Sequence, residues 1–97
     1  MIANATPNDA QYLFGKEACL FVNGLDCRAY DEEIMGLLEL HFKRYGTCWI
    51  TLCRPTTGGN AFAFVQYVYE RQAAKAEVDL NGMLMFWKKI SVCKKSG

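Results

Sequence analysis

The stretch GGNAFAFVQY, residues 58–67, decides the fold because its side chains alternate in kind. On a β-strand, successive side chains point to opposite faces of the sheet. Phe62 and Phe64 then share one face with two polar residues, Asn60 and Gln66. The other face receives a set that suits a core: Ala61, Ala63, Val65 and Tyr67. The pattern predicts a strand with one buried face, and it leaves two phenylalanines on the opposite, polar face.

Further strands and helices are predicted on either side of this strand. Hydrophobic periodicity and turn residues predict further strands at 18–25, 47–53 and 88–93 and helices at 31–45 and 70–81. Asp31 is predicted to cap the first helix, while Gly46 and Gly82 are predicted to end the two helices. Residues 83–87 are expected to form a short hairpin before the last strand.

This order of elements predicts an α+β fold of the ferredoxin-like split βαβ type, βαββαβ. Such a fold has a four-stranded antiparallel sheet with both helices on one face, so the other face is open. Phe62 and Phe64 are expected on the open face. We expect the domain to span residues 18–95 and residues 1–17 to form a flexible leader, whose apolar group at 12–14 could fold back over the sheet.

Composition narrows the class of protein. The chain has 97 residues, 52% hydrophobic and 22% charged, as expected of one folded domain. No apolar run reaches the length of a membrane span, and the first residues lack the features of a secretory signal. The five cysteines include no Cys-x-x-Cys pair, which favours reduced thiols in a nuclear or cytoplasmic protein. We interpret these cysteines as small apolar filler and predict no metal site.

Charge is unevenly distributed along the chain. Residues 1–40 contain seven acidic and two basic residues, a net of −5, whereas residues 41–97 contain nine basic and three acidic residues, a net of +6. The overall charge of +1 gives little general attraction for a polyanion. A local basic surface in the second half is expected instead.

Two short motifs resemble those of the RNA recognition motif family. The family octamer is K/R-G-F/Y-G/A-F-V-x-F/Y, and residues 60–67 match six of its eight positions. The family hexamer, roughly aliphatic-aromatic-aliphatic-x-Asn/Gly-Leu, is similar to LFVNGL at 20–25, and DLNG at 79–82 also fits. The resemblance extends over about residues 18–95, and both motifs fall on the expected strands.

The resemblance implies that the open face binds single-stranded RNA by stacking bases on Phe21, Phe62 and Phe64. Every base has a flat π-face, so such rings accept any sequence at about 1–3 kcal/mol per base. Further contacts to RNA are expected from polar and basic residues on or beside that face: Asn23, Asn60, Gln66, Lys89, Lys94 and Lys95. Asn60 departs from the family, because a Lys or Arg at this position can pair with a phosphate.

A protein-binding module on the same fold is the main alternative. The first helix is acidic, as in family relatives that bind peptides, but Met83 follows Asn81-Gly82 where those relatives have Arg. Candidate contacts for a protein partner or for self-association are apolar residues near the last strand and on the second: Trp49, Met83, Met85, Phe86 and Trp87.

An enzyme has the least support in the sequence. His41 lies on the apolar stripe of the first helix and is predicted to be half-buried and structural. The glycines at 58–59 lead into a strand and lack the lysine of a phosphate-binding loop. We therefore predict neither catalysis nor a cofactor nor a small-molecule substrate.

Overall fold

The computed structural model describes residues 14–95, so residues 1–13, including Tyr12 and Leu13 of the apolar leader group, lie outside it. Its strands and helices, in chain order, are β1 Cys19–Leu25, α1 Asp31–Phe42, β2 Cys48–Cys53, β3 Ala61–Tyr67, α2 Glu70–Leu80, β4 Leu84–Met85, β5 Lys88–Lys89 and β6 Ser91–Lys94. Within this part of the chain, neither helix is long and apolar enough to cross a membrane.

The main sheet has the strand order β2-β3-β1-β6, and every neighbouring pair is antiparallel. The register places Phe21 of β1 opposite Phe64 of β3 on one side and opposite Cys93 of β6 on the other. With two helices and four strands, this is the predicted ferredoxin-like arrangement.

The core lies between the sheet and the two helices. The inward side chains of β3 are fully buried, as their alternation predicts, and so are Ile34 and Leu38 of α1 and Ala73 and Ala76 of α2. The buried hydroxyl of Tyr67 donates a hydrogen bond to the carbonyl of Phe42, which ties the end of β3 to the end of α1. The face of the sheet away from the helices is therefore the open one.

The start of α1 differs from the prediction by one residue. The N-cap is Tyr30, and Asp31 is the first helical residue. The Tyr30 N–H donates to Oε1 of Glu33 at 2.9 Å, so a glutamate side chain satisfies the backbone from within the first turn. The helix ends at Phe42, and a 3₁₀ turn over Lys43–Tyr45 leads to Gly46.

The predicted last strand, 88–93, is divided in two. Lys88 and Lys89 pair with β4 in a separate two-stranded hairpin, and the strand of the main sheet begins only at Ser91. The division falls at Ile90, whose N–H donates to the carbonyl of Met83 and whose carbonyl accepts from the N–H of Gly82. These two bonds hold Ile90 to the chain after α2 instead of to β1.

The loop from β1 to α1 contains an ion pair between the buried Asp26 and the exposed Arg28, and this pair predicts a pH dependence. Asp26 accepts from the backbone N–H of Arg28 at 2.9 Å and from the guanidinium at 3.1 and 3.0 Å. These hydrogen bonds lower the pKa of Asp26 from 3.8 to about 2. A depressed pKa stabilises the folded state above the unfolded value, so this stabilisation is complete above about pH 4 and is lost towards pH 2.

We expect Asp26→Asn to remove this part of the acid sensitivity. The urea midpoint of the wild type should fall more steeply than that of the variant as pH decreases from about 4 to about 2. Parallel pH profiles of the two proteins over that interval would show that the pair contributes nothing to acid unfolding.

Candidate nucleic-acid interface

Three phenylalanine rings meet at the centre of the open face. Phe21 lies 5.5 Å from Phe64 and 5.6 Å from Phe62, and Phe62 and Phe64 are 5.9 Å apart, measured between ring centroids. Each ring is half-buried, and the three are mutually tilted or perpendicular. We call Phe21, Phe62 and Phe64 the aromatic platform.

The platform follows directly from strand geometry. Phe62 and Phe64 are two positions apart on β3, so they share a face, while Ala61, Ala63 and Val65 point to the core and are fully buried. Phe21 joins them because the register of β1 places it opposite Phe64. The sequence predicted all three positions, and the structure brings them together.

A groove runs beside the platform on the β6 side. It has a volume of about 290 Å³ and is lined by Phe21, Phe64, Cys93, Lys94 and Lys95. The ammonium of Lys95 lies 5.2 Å from the centroid of the Phe64 ring, within the range of a cation–π interaction. A positive charge therefore lies next to a half-buried ring of the platform.

Lys94 points the other way. Its ammonium lies 3.4 Å from Oε2 of Glu70 on α2, and its backbone N–H donates to Glu77 on the same helix. The prediction that the side chain of Lys94 contacts RNA beside the open face is therefore wrong, although the residue lines part of the groove. Alternation explains the difference, because Cys93 and Lys94 are successive residues of β6.

The basic residue at the Asn60 end of the platform is Lys88, which was not among the predicted RNA contacts. Its ammonium donates to Oδ1 of Asn60 at 2.8 Å. Asn60 is uncharged, so this bond leaves the positive charge of Lys88 at the position where the octamer has Lys or Arg. The expectation that Lys89 shares the open face is wrong, because it assumed one continuous strand, whereas Lys89 belongs to the hairpin and lies opposite Leu84.

Gln66 is not accessible to a ligand. The residue is only 1% exposed, and its amide nitrogen donates to the carbonyls of Gly15 and Tyr67 at 2.8 and 2.9 Å. Next to it, Trp49 is half-buried and stacks against Phe14, with centroids 5.6 Å apart and an interplanar angle of 17°. The predicted RNA contact at Gln66 is therefore wrong, and Phe14 occupies one face of Trp49, which was a candidate protein contact.

The segment before β1 thus covers one end of the open face. It contacts Trp49 and Gln66, and the 3₁₀ turn Lys16–Ala18 places Ala18 in the core. The structured part of the domain includes at least residues 14–17, before the predicted boundary at residue 18. Phe64 of the platform, two residues before Gln66 on β3, is not among these contacts.

Asn23 lies on the open face beside Phe62, its partner in the register. Its side chain is exposed, and its Oδ1 accepts from the N–H of Gly24 at 2.9 Å. Gly24 has a φ of 88°, and a Cβ there would meet the carbonyl oxygen of Lys89 at 3.1 Å. The Asn-Gly pair therefore forms an irregularity within β1, where the register shifts between Asn23 and Leu25, instead of the predicted turn. Asn23 borders the platform.

The expected protein-contact residues separate by burial. Met85 is 2% exposed and belongs to the core, so its assignment to a protein contact is wrong. Met83 and Phe86 are half-buried and pack against the core. Trp87 is 93% exposed at the turn of the hairpin. Periodicity could not separate these residues, because the hairpin has only two residues on each side.

The cysteines also separate by environment, and all five are free thiols. Cys19 and Cys48 are buried, and burial raises the pKa of both thiols, that of Cys48 to about 11. Cys27 and Cys93 are exposed, so the interpretation of every cysteine as apolar filler is wrong for these two. Cys93 borders the platform beside Phe21.

Comparison with known proteins agrees with this geometry. A sequence model described as RNA recognition motif matches residues 20–91. No curated protein sequence matches the chain. The third RNA recognition motif domain of Mip6 has a similar structure, with a TM-score of 0.69 and 21% identity over 87% of this chain and 99% of that one. The corresponding domain of Pes4 has a TM-score of 0.67 and 22% identity over 82% of this chain and 93% of that one. The match over most of the chain shows that it belongs to the RNA recognition motif family, whose domains bind RNA and typically lack enzymatic activity.

Proposed function

We propose that this domain binds single-stranded RNA by stacking bases on the aromatic platform. The observation that supports this most strongly is the position of the three rings. They are in mutual contact, half-buried, and on the face of the sheet that neither helix covers.

The apolar rings of the platform are better suited to contact with a nucleobase than to contact with water. Exposed clusters of apolar rings are uncommon on monomeric domains and usually mark binding sites. Two or three bases can stack on the aromatics of such a sheet, at about 1–3 kcal/mol per base. Aromatic stacking is tolerant of sequence, so we expect only a modest preference among bases.

Two lysines border the platform and would meet the phosphate backbone. Lys88 lies at the Asn60 end, and Lys95 lies over Phe64. A base that stacks on Phe64 takes the place of the ammonium of Lys95, which can then contact a phosphate of the same strand. Because the net charge is only +1 and association itself is costly, we expect modest affinity.

Lys95 and Lys94 provide a matched pair of variants. We expect Lys95→Ala to weaken RNA binding by about two- to fivefold and to reduce the slope of log K against log salt by about 0.7. Lys94→Ala should change neither, because its ammonium pairs with Glu70 on the helical side. Fluorescence anisotropy at several salt concentrations measures both quantities, and equal losses in the two variants would contradict the assignment.

A protein-binding function has less support. Met85 is buried and cannot contribute to a protein-binding surface, and Met83 and Phe86 pack against the core. Phe14 occupies one face of Trp49. Of the expected protein-contact residues, Trp87 alone keeps a highly exposed side chain.

A fluorescent base tests stacking directly. The emission of 2-aminopurine falls when the base stacks on an aromatic ring, so an oligouridylate with one 2-aminopurine should dim on binding. Oligonucleotides with the label at each position in turn should show which bases are stacked. Saturable binding with unchanged emission at every position would mean that the protein holds only the backbone, and the stacking proposal would fail.

A further inference from the structure

The hairpin of β4 and β5 exposes a tryptophan in an unusual backbone setting. Phe86 and Trp87 form its two-residue turn with φ values of 53° and 71°, a region that favours Asn and Gly and is rare for large side chains. Trp87 is nevertheless 93% exposed. Neither the backbone preference nor burial explains a tryptophan here.

The surroundings of Trp87 combine an apolar wall with positive charge. Leu84, Phe86 and Trp87 line an open groove of about 350 Å³. Lys89 lies directly across from Leu84 in the hairpin pairing. Among the ion pairs found within residues 14–95, none involves Lys88 or Lys89. The charge of Lys88 does interact with Asp26, whose pKa it lowers, whereas Lys89 has no such acidic neighbour among the described residues. An aromatic surface beside these lysines complements a base attached to phosphates.

The hairpin is also continuous with the platform. Lys88 follows Trp87 in the chain, and its ammonium contacts Asn60, two residues before Phe62 of the platform. A strand of RNA that leaves the platform at the Asn60 end would therefore meet Lys88 first and the groove at Trp87 next.

We infer that the hairpin binds a further nucleotide of the same RNA strand, with its base on Trp87 and its phosphates near Lys88 and Lys89. This inference rests on the proposed function of the platform. A protein partner fits less well, because the apolar wall consists of only three side chains and Lys89 lies across from one of them, Leu84.

A length series of oligouridylates tests the extension. The shortest member has about three nucleotides, the number that the platform can stack, and the others add one nucleotide at a time. Wild-type affinity should rise at least about fivefold at the length that reaches the hairpin. Trp87→Asn should lose this increment and keep the affinity for the shortest oligonucleotide.

The variants separate a binding role from a structural one. Asn tolerates positive φ, so Trp87→Asn should fold at least as stably as the wild type. Trp87→Tyr retains a ring and should recover most of the length-dependent increment. A Trp49→Phe background leaves Trp87 as the only tryptophan, and its emission should be quenched by the long oligonucleotide but not by the short one.

The possible outcomes are distinct. Equal length dependence in the wild type and Trp87→Asn, or emission of Trp87 that does not respond to the long oligonucleotide, would overturn the extension and leave Trp87 available for a protein contact. Binding of the short oligonucleotide would still support the platform in that case. If the wild type binds no oligonucleotide of any length, the platform and its extension both fail.

Discussion

Replacement of both Phe62 and Phe64 by alanine is expected to abolish most RNA binding while the domain stays folded. Each ring offers a stacking surface worth about 1–3 kcal/mol, so the loss of two should weaken binding by about 30-fold or more. The fold should persist because the inward side chains of β3 are untouched and fully buried. Titration with pyrimidine-rich single strands gives the affinity, and thermal unfolding monitored by circular dichroism shows whether the fold is retained.

A matched control for the double variant lies on the same face. Thr51 is opposite Phe64, and Ser91 is opposite Asn23, so both are on the open face without an aromatic ring. Thr51→Ala combined with Ser91→Ala should leave affinity nearly unchanged. Wild-type affinity in the Phe62→Ala, Phe64→Ala protein would contradict the stacking assignment.

Leu20→Ala should have the largest effect on stability, in contrast to its neighbour. Leu20 is fully buried, and Leu→Ala substitutions in cores cost about 2–5 kcal/mol. For a domain of this size, each kcal/mol lowers Tm by about 4–8 °C. Phe21→Ala, one residue further along β1, should cost much less stability because its ring is half-buried on the open face, but it should weaken RNA binding at least about fivefold.

Together, the two variants test which side chain of β1 points to the core and which to the open face. Urea unfolding measures stability, and the RNA titration is made at a temperature where both variants are folded. We expect Leu20→Ala to bind RNA as the wild type does under those conditions. If Phe21→Ala were the more destabilising of the two, the ring would belong to the core, and its role in the platform would be wrong.

The main sheet and the platform were predictable because both depend on a local rule. A strand alternates with a period of two, so a run as clear as that at 60–67 assigns each side chain to a face without knowledge of its neighbours. Phe62 and Phe64 followed from that rule alone. Phe21 followed from the resemblance of its motif to the RNA recognition motif family.

The predictions that fail concern residues at places where distant parts of the chain meet. Gln66 has the correct parity for the open face, but Gly15, 51 residues away in sequence, covers it. Lys89 was assigned to the open face by counting along one strand, and the bonds of Ile90 to Gly82 and Met83 break that strand. Alternation carries no information about either event, because both depend on tertiary hydrogen bonds.

Lys88 is a residue of the candidate site that the local sequence could not identify. Nothing in its local sequence distinguishes it from Lys89, and only the hairpin register directs it to Asn60. The missing charge at the first octamer position was the one available signal for Lys88, since it indicated that a basic residue elsewhere in the chain would take that place.

The location of the protein in the nucleus or cytoplasm stays a prediction from its cysteine pattern.

The covered end of the open face limits how far RNA can extend in that direction. Phe14 stacks on Trp49, and the carbonyl of Gly15 accepts a hydrogen bond from Gln66. A bound strand would have to displace Phe14 and Gly15 to reach beyond Phe64 and Phe21. The Asn60 end has no such cover among the contacts of residues 14–95, and it leads to the hairpin. We therefore expect a footprint that extends from the platform towards Lys88.

The most direct measurement is an NMR titration of the labelled domain with an unlabelled oligouridylate, with intermolecular NOEs from the phenylalanine rings to the bases. We predict that the aromatic protons of Phe21, Phe62 and Phe64 show NOEs to base and sugar protons, and that the exposed surfaces of the two helices stay unperturbed. Shifts confined to the helical face, or a saturated complex without NOEs to these three rings, would contradict the account.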